Sequence, residues 1–103
     1  MIYDGMTVLI TGGAGGFARS AAPMFAAEGA KLVLTDYNAD GLEQHAAELR
    51  GNGTEVVTLA GSVADEAHCE ETVKLALDTY GRLDVAINNA GMGHAPGRTH
   101  EVD

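Results

Sequence analysis

Short apolar runs alternate with longer amphipathic segments along this chain. The apolar runs are rich in Val, Leu and Ile and have the length of β-strands; they cover Thr7 to Thr11, Ala30 to Asp36, Glu55 to Ala60 and Leu83 to Asn88. The longer segments carry apolar residues at helical spacing; they cover Phe17 to Glu28, Asn38 or Asp40 to about Arg50, and about Glu66 to Tyr80. This alternation predicts βαβ units, and therefore an α/β fold with a parallel sheet.

The spacing within the helices also predicts which positions face the sheet. The inward positions are Leu42, Ala46 and Leu49 in the second helix, and Val73, Ala76, Leu77 and Tyr80 in the third. We expect His45 and His68 on the helix surfaces. Asn38 or Asp40 can cap the second helix, and Asp65 can cap the third.

The composition is that of an ordinary globular domain with an acidic surface. The chain has 103 residues, of which 15 are acidic and 6 are basic, and its formal net charge is -9. Such a surface repels nucleic acids and anionic membranes, so we expect neither as a partner. Cys69 is the only cysteine, which excludes an internal disulfide. The chain shows no signal peptide and no run long enough to span a bilayer, so we expect a cytoplasmic location.

Residues that can carry chemistry follow each predicted strand, where ligands bind in open α/β sheets. The glycine loop, Thr11-Gly12-Gly13-Ala14-Gly15-Gly16-Phe17-Ala18, can bring backbone N–H groups and a helix N-terminus to a phosphate. Asp36 ends the second strand, where a carboxylate can accept both hydroxyl hydrogen bonds of an adenosine ribose. Gly61-Ser62-Val63 follows the third strand, and Asn88-Asn89-Ala90-Gly91 follows the fourth. Taken singly, the loop could be only a tight turn and Asp36 only a solvated acid.

Together these motifs resemble the N-terminal half of a short-chain dehydrogenase/reductase. The resemblance rests on Thr11-Gly12-x-x-x-Gly16-x-Ala18, on Asp36 and on Asn88-Asn89-Ala90-Gly91, and it covers nearly the whole chain. It implies a Rossmann-type parallel sheet of order 3-2-1-4 with helices on both faces, the truncated half of a doubly wound fold. Residues 1–91 would form an NAD-binding half-domain, and residues 92–103 a loop or tail that is disordered in part.

The resemblance also implies an oxidoreductase that transfers hydride between NAD and an alcohol or carbonyl compound. The glycine loop would bind the pyrophosphate, and Asp36 would bind the adenosine ribose and favour NAD over NADP. Ser62 and Val63 would contact adenine, and the residues from Asn89 to Gly91 would line the ribose on the nicotinamide side. The implied cofactor-binding set is Gly12, Gly15, Gly16, Phe17, Asp36, Ser62, Val63, Asn89, Ala90 and Gly91.

The chain departs from the family pattern in three ways. Ala18 replaces the last glycine of the loop, where alanine is a known alternative, so we expect binding to survive this change. Ser62 replaces an aspartate that contacts adenine, and because serine is shorter and neutral we expect a weaker adenine contact. The family's catalytic Ser, Tyr-x-x-x-Lys pair and Asn cannot be placed; Tyr80, for example, is followed four residues later by Asp84. We therefore expect no catalytic residue in these 103 residues, and no turnover by this polypeptide alone.

Two other interpretations stay open from the sequence. The chain could be a dinucleotide-binding module without catalysis, or an S-adenosylmethionine-dependent methyltransferase, although the Asn88 to Gly91 segment argues against the latter. His94, His100 and Glu101 match no metal motif, so we expect no metal. In a half-domain the far edge of the fourth strand would be unpaired, which predicts a homodimer or a higher assembly.

Overall fold

The computed structural model describes residues 3–62 and 64–88. Strands and helices alternate in the order β1 (Thr7–Thr11), α1 (Gly16–Ala27), β2 (Lys31–Asp36), α2 (Ala39–Gly51), β3 (Val56–Ala60), α3 (Glu66–Tyr80) and β4 (Val85–Ile87). The predicted type and order of these elements are confirmed, and their ends move by no more than two residues.

The four strands form one parallel sheet in the order β3-β2-β1-β4. Thr11 at the end of β1 lies beside Thr35 of β2, and Asp36 lies beside Ala60 of β3. This order confirms the α/β, Rossmann-type arrangement that the resemblance implied. Because all strands run in the same direction, their carboxyl ends meet at one edge of the sheet, which is where ligands bind in such folds.

Helices cover both faces of the sheet, as expected for parallel strands. On one face, α1 and α2 pack on the even-numbered side chains of the central strands, such as Ile10 and Leu34. On the other face, α3 packs through Ala76 on Leu9 and Val33. Among the described helices, none combines the length and apolar character needed to cross a membrane.

The predicted inward stripe of α2 is confirmed, but that of α3 is partly wrong. Ala76 is fully buried and Tyr80 is partly buried, whereas Val73 and Leu77 are 38% and 47% exposed. The row that faces the sheet is His68, Thr72 and Ala76, at a spacing of four residues. Val73 and Leu77 lie one residue further along, about 100° around the helix, and therefore point away from the strands.

The expected surface positions of His45 and His68 are also wrong. The two residues are only 2% and 6% exposed. Burial is tolerated because a ring nitrogen of each lies within hydrogen-bond distance of a buried oxygen, 2.8 Å from Gly13 O for His45 and 2.6 Å from Thr35 Oγ1 for His68.

The predicted cap of α3 is confirmed, and of the two residues that could cap α2 the structure selects Asn38 and places Asp40 in the first turn of the helix. The side chain of Asn38 accepts a hydrogen bond from the N–H of Gly41, and that of Asp65 accepts one from the N–H of Ala67. Helix α1 differs, because its N-cap is Gly15, which has no side chain to accept such a bond.

Asp84 joins β1 and β4 at the edge of the sheet opposite the carboxyl ends of the strands. Its backbone N–H donates to Thr7 O at 3.0 Å, and its Oδ2 accepts from the Thr7 N–H at 2.9 Å. Arg82 donates to both carboxylate oxygens at 2.7 to 3.1 Å. These bonds, first those of Arg82 and then that of Thr7, lower the pKa of the Asp84 carboxyl.

Replacing Asp84 by Asn is therefore expected to destabilise the fold in a pH-dependent way. The lowered pKa means that the carboxylate stabilises the folded state above its ordinary pKa of about 3.9, and that this contribution is lost as the pH falls through the folded-state value. Urea unfolding at neutral pH should show a free energy of unfolding about 1 kcal/mol lower for Asp84→Asn than for the wild type. When the pH is lowered, the variant should lose less stability than the wild type, because it has no carboxylate at this position to protonate. Asp78→Asn, which breaks only the exposed ion pair with Lys74, is the control and should change stability by less than about 0.5 kcal/mol. If Asp84→Asn and Asp78→Asn changed stability equally, the Asp84 carboxylate would not stabilise the fold through its bonds to Thr7 and Arg82.

Candidate functional site

The candidate site lies where the carboxyl ends of the strands meet. The glycine loop follows β1, Asp36 ends β2, and the turn from Gly61 to Asp65 follows β3. The N–H of Gly61 donates to Asp36 O at 3.0 Å, so the last two of these features are in direct contact. The structure thus brings together three of the four segments singled out in the sequence, and the first residue of the fourth, Asn88, also lies at this edge.

The glycine loop turns sharply between β1 and α1. Gly12 has a φ of 70°, which favours glycine, and its carbonyl accepts the N–H of Gly15 at 2.9 Å. The N–H of Gly13 donates to Thr35 O at 2.8 Å, which extends the hydrogen bonding between β1 and β2 into the loop. The loop is therefore held at a defined position against β2.

The far side of the loop is open, and it exposes the start of α1. A Cβ placed on Gly16 would meet no atom within 4 Å, and Phe17 is 47% exposed. The first N–H groups of a helix have no partner within it, and the N-cap Gly15 provides no side-chain acceptor. An anionic group could therefore approach these N–H groups closely and be stabilised by the helix dipole.

Asp36 is buried beside this loop, and the backbone orients its carboxylate. Its Oδ2 accepts the Ala14 N–H and its Oδ1 accepts the Asn38 N–H, each at 2.9 Å. The residue is 8% exposed. A carboxylate oxygen can accept two hydrogen bonds, so each oxygen keeps capacity for one more donor. Two adjacent hydroxyl groups, such as those of a ribose, match this arrangement.

Ser62 is exposed at the beginning of the turn after β3. Its Oγ accepts the N–H of Ala64 at 3.1 Å, which leaves the hydroxyl hydrogen able to donate to another group. Val63, the other residue expected near adenine, lies outside the described residues, and so do Asn89, Ala90 and Gly91.

Thr11 connects the glycine loop to the end of β4. Its hydroxyl lies 3.1 Å from Oδ1 of Asn88 and 3.4 Å from the carbonyl oxygen of Ile87. The first residue of the Asn-Asn-Ala-Gly segment is thus positioned next to the start of the loop.

Other polar residues considered for the site have different surroundings. Arg19 pairs with Glu48 at 3.2 Å, and its Nε lies 3.4 Å from the carbonyl oxygen of Ala14. The hydroxyl of Tyr80 lies 3.4 Å from Leu32 O, near the amino end of β2 and away from the loop, and burial raises its pKa. Within residues 3–62 and 64–88 there is no group of three side chains suited to a metal ion. His94, His100 and Glu101 lie outside the described residues.

Sequence reasoning missed the residues beneath the site. Thr35, His45 and His68 are all buried. Thr35 and His45 are hydrogen-bonded to Gly13 of the glycine loop, and His68 is linked to the loop through Thr35. Helical spacing contained a signal for both histidines: His45 is three residues after Leu42, and His68 is eight before Ala76, so each shares a face with a buried residue. The surface positions were predicted because histidine is polar, although the helical spacing indicated burial.

Comparisons with known proteins agree with this geometry. The sequence model of the short chain dehydrogenase family matches residues 6–103. The chain is 33% identical over 101 residues to a 7alpha-hydroxysteroid dehydrogenase of Bacteroides fragilis, which covers 98% of this chain and 39% of that protein. It is 44% identical over 92 residues to a levodione reductase of Leifsonia aquatica, which covers 87% of this chain and 34% of that protein.

A solved structure of a short chain dehydrogenase/reductase also resembles this chain. A short chain dehydrogenase/reductase from Burkholderia phymatum, crystallised in complex with NAD, is 31% identical and superimposes with a TM-score of 0.80 over 84% of this chain and 31% of that one. The chain thus spans between about three and four tenths of the length of these proteins. On its fold, its strand-end motifs and the match over residues 6–103, the chain belongs to the short-chain dehydrogenase family of oxidoreductases.

Proposed function

We propose that these residues form the NAD-binding part of an NAD-dependent oxidoreductase that acts on an alcohol or carbonyl compound. Bound NAD would supply the hydride acceptor of such a reaction, and NADH the hydride donor. The chain's own residues would bind and orient the adenosine and pyrophosphate groups. The family, whose members here include a dehydrogenase, a reductase and a protein crystallised with NAD, supports a dinucleotide as the ligand.

The observation that carries the proposal is the Asp36 carboxylate beside the open glycine loop. Backbone N–H groups hold both of its oxygens, so the carboxylate is already oriented before a ligand arrives. A ribose with two free hydroxyl groups can donate to these oxygens, whereas a 2′-phosphate in the same place would meet a second negative charge. This arrangement supports NAD in preference to NADP.

The remaining residues have roles that follow from their positions. Gly12 makes the turn, Gly15 and Gly16 leave room for the pyrophosphate, and the N–H groups around Phe17 would donate to it. Ser62 would donate to adenine from the turn after β3. We propose Val63 for the adenine side and Asn89, Ala90 and Gly91 for the nicotinamide side on the family resemblance.

Two further expectations stay predictions. The family's Ser, Tyr-x-x-x-Lys and Asn do not occur in the required pattern in these 103 residues, so we propose that this polypeptide alone binds NAD without turnover. We also propose that the isolated polypeptide self-associates, because β4 pairs with β1 on one side and its Val85 and Ile87 are only partly buried.

Substitution of Asp36 by Asn tests the proposed ribose contact. Titration of the protein with NADH and NADPH, followed by the fluorescence of the reduced nicotinamide, should show NADH affinity reduced by about tenfold or more, since a hydrogen bond to a charged group contributes about 1.5 to 3 kcal/mol. The preference for NADH over NADPH should shrink, because the repulsion of the 2′-phosphate is removed.

The matched control is Asp40→Asn, which removes the same charge from an exposed residue in the first turn of α2. Its affinity for NADH should stay within about twofold of the wild-type value, because an exposed charge is screened by solvent. Wild-type affinity in Asp36→Asn, or tighter binding of S-adenosylmethionine than of NADH by the wild type, would overturn the proposed function.

A further inference from the structure

Two buried histidines approach the candidate site from opposite faces of the sheet. His45 comes from α2 and His68 from α3, and both lie within the part of the core beneath the carboxyl ends of the strands. Neither belongs to the residues proposed to contact NAD, yet both make polar contacts where apolar side chains would normally pack.

His45 holds one peptide group of the glycine loop. Its Nδ1 lies 2.8 Å from the carbonyl oxygen of Gly13, and a carbonyl can only accept, so Nδ1 carries the hydrogen. The N–H of the same peptide group, that of Ala14, donates to Oδ2 of Asp36 at 2.9 Å. The peptide between Gly13 and Ala14 is thus fixed at both ends, and its orientation sets where the Asp36 carboxylate lies.

His68 holds Thr35, the residue that anchors the loop to β2. The hydroxyl of Thr35 gives its hydrogen to Leu59 O at 2.7 Å, so it must accept from His68, whose Nε2 lies 2.6 Å away and therefore carries the hydrogen. The carbonyl of Thr35 accepts the N–H of Gly13 at 2.8 Å. His68 and His45 therefore act on the same loop residue, one through its N–H and the other through its carbonyl.

His68 also packs against the turn that follows β3. The Nδ1 side of its ring lies so close to the Gly61 backbone that a Cβ on Gly61 would overlap it. The N–H of Gly61 donates to Asp36 O at 3.0 Å. The same ring therefore supports the segment that leads to Ser62.

We propose that His45 and His68 are positioning residues for the adenosine end of the dinucleotide site. Through the Gly13–Ala14 peptide and Thr35, they hold the glycine loop, the Asp36 carboxylate and the turn at Gly61 in the geometry that binds the ligand. The part of this inference that concerns cofactor affinity rests on the proposed function; the part that concerns loop geometry does not.

The test uses substitutions that keep or remove a side-chain N–H at the position of the relevant ring nitrogen. In His45→Asn the amide can take the place of Nδ1, and in His68→Gln it can take the place of Nε2, whereas His45→Leu and His68→Leu remove the donor and keep an apolar side chain. Backbone amide exchange, measured by NMR without ligand, should be faster at Gly13 and Ala14 in both leucine variants. It should return toward the wild-type rate in His45→Asn and His68→Gln, but not in His45→Gln and His68→Asn.

NADH titration gives the second measurement. Each leucine variant should bind about fivefold to tenfold more weakly, the loss expected from one hydrogen bond, and the matching amide variant should recover most of it. Val56→Ala is the control, because Val56 is a buried core residue at the amino end of β3. It should lower fold stability without changing the exchange of Gly13 and Ala14 or the affinity for NADH.

The outcomes are distinguishable. Leucine variants that exchange and bind like Val56→Ala would overturn the inference, because they would show that the histidines contribute only to stability. NMR of the imidazole nitrogens at about pH 8.5, above the ordinary pKa of histidine, should show hydrogen on Nδ1 of His45 and on Nε2 of His68, and the opposite assignment would also overturn it. If the wild type bound no NADH, the proposed function would fail, and the exchange rates would still decide whether the histidines position the loop.

Discussion

Replacing Gly16 by Val should reduce NADH binding by roughly ten- to hundredfold and leave the fold as stable as before. Gly16 is the first residue of α1, it is exposed, and a Cβ there would meet no protein atom within 4 Å. Its φ is not positive, so a side chain introduces no backbone strain. Valine is a better helix former than glycine by a few tenths of a kcal/mol, so stability should stay level or rise slightly.

The loss of binding follows from the distance at which a phosphate must lie. A phosphate oxygen accepting a backbone N–H lies about 2.9 Å from the nitrogen, and a valine side chain at Gly16 would occupy part of that space. The fold itself does not need glycine here, so a loss of NADH binding without a loss of stability would point to a ligand that lies against Gly16. Urea unfolding and NADH titration of the same preparation would separate the two effects.

Gly51→Val is the matched control for this experiment. Gly51 also has open space around its Cβ position and a φ that is not positive, but it is the last residue of α2, at the opposite end of the sheet from the site. Its substitution should leave both stability and NADH affinity close to the wild-type values. Undiminished binding in Gly16→Val would show that the pyrophosphate does not lie on this loop.

Replacing Gly13 by Ala should have the opposite effect and destabilise the fold by about 1 to 3 kcal/mol. A Cβ on Gly13 would lie 2.9 Å from Cβ of Leu34 and 2.9 Å from Cδ1 of Leu42. Both leucines are buried, at 0% and 2% exposed. The end of the Leu42 side chain can rotate away, but Cβ of Leu34 belongs to the central strand β2 and cannot move without the backbone.

The loop cannot move away from Leu34 either, because Gly13 is held by hydrogen bonds. Its N–H is bonded to Thr35 O and its carbonyl to His45 Nδ1, so relief of the overlap would break at least one of them. Thermal unfolding should show a midpoint lower by about 4 to 8 °C for each kcal/mol lost.

Gly15→Ala is the comparison, because a Cβ at Gly15 would meet only the Gly12 carbonyl oxygen, at 3.3 Å. Its loss of stability should be clearly smaller than that of Gly13→Ala. If the two variants were equally stable, the close packing of Gly13 on Leu34 would have no energetic consequence.

Gly13 and Gly16 belong to the same sequence motif but have different surroundings in the structure. The motif identified Gly13 and Gly16 as members of one loop, but it did not indicate that Gly13 packs closely on the core whereas the space around Gly16 is open. That distinction depends on Leu34 and Leu42, which lie more than twenty residues away in the chain and come close only through the β1–β2 pairing and the packing of α2.

Local patterns were sufficient for the order of strands and helices, for the cap at Asp65, and for Asp36 as a residue at a strand end, and they narrowed the cap of α2 to Asn38 or Asp40. These features depend on periodicity, turn chemistry and hydrogen bonds between near neighbours, all of which a sequence contains. Only the tertiary structure decided that His45 and His68 are buried and that Val73 and Leu77 are exposed. It also decided that His45 bonds directly to Gly13 of the loop, whereas His68 is linked to the loop through Thr35. The physical reason is that burial and hydrogen-bond partners depend on which row of each helix meets the sheet, and that is set by packing between segments far apart in the chain.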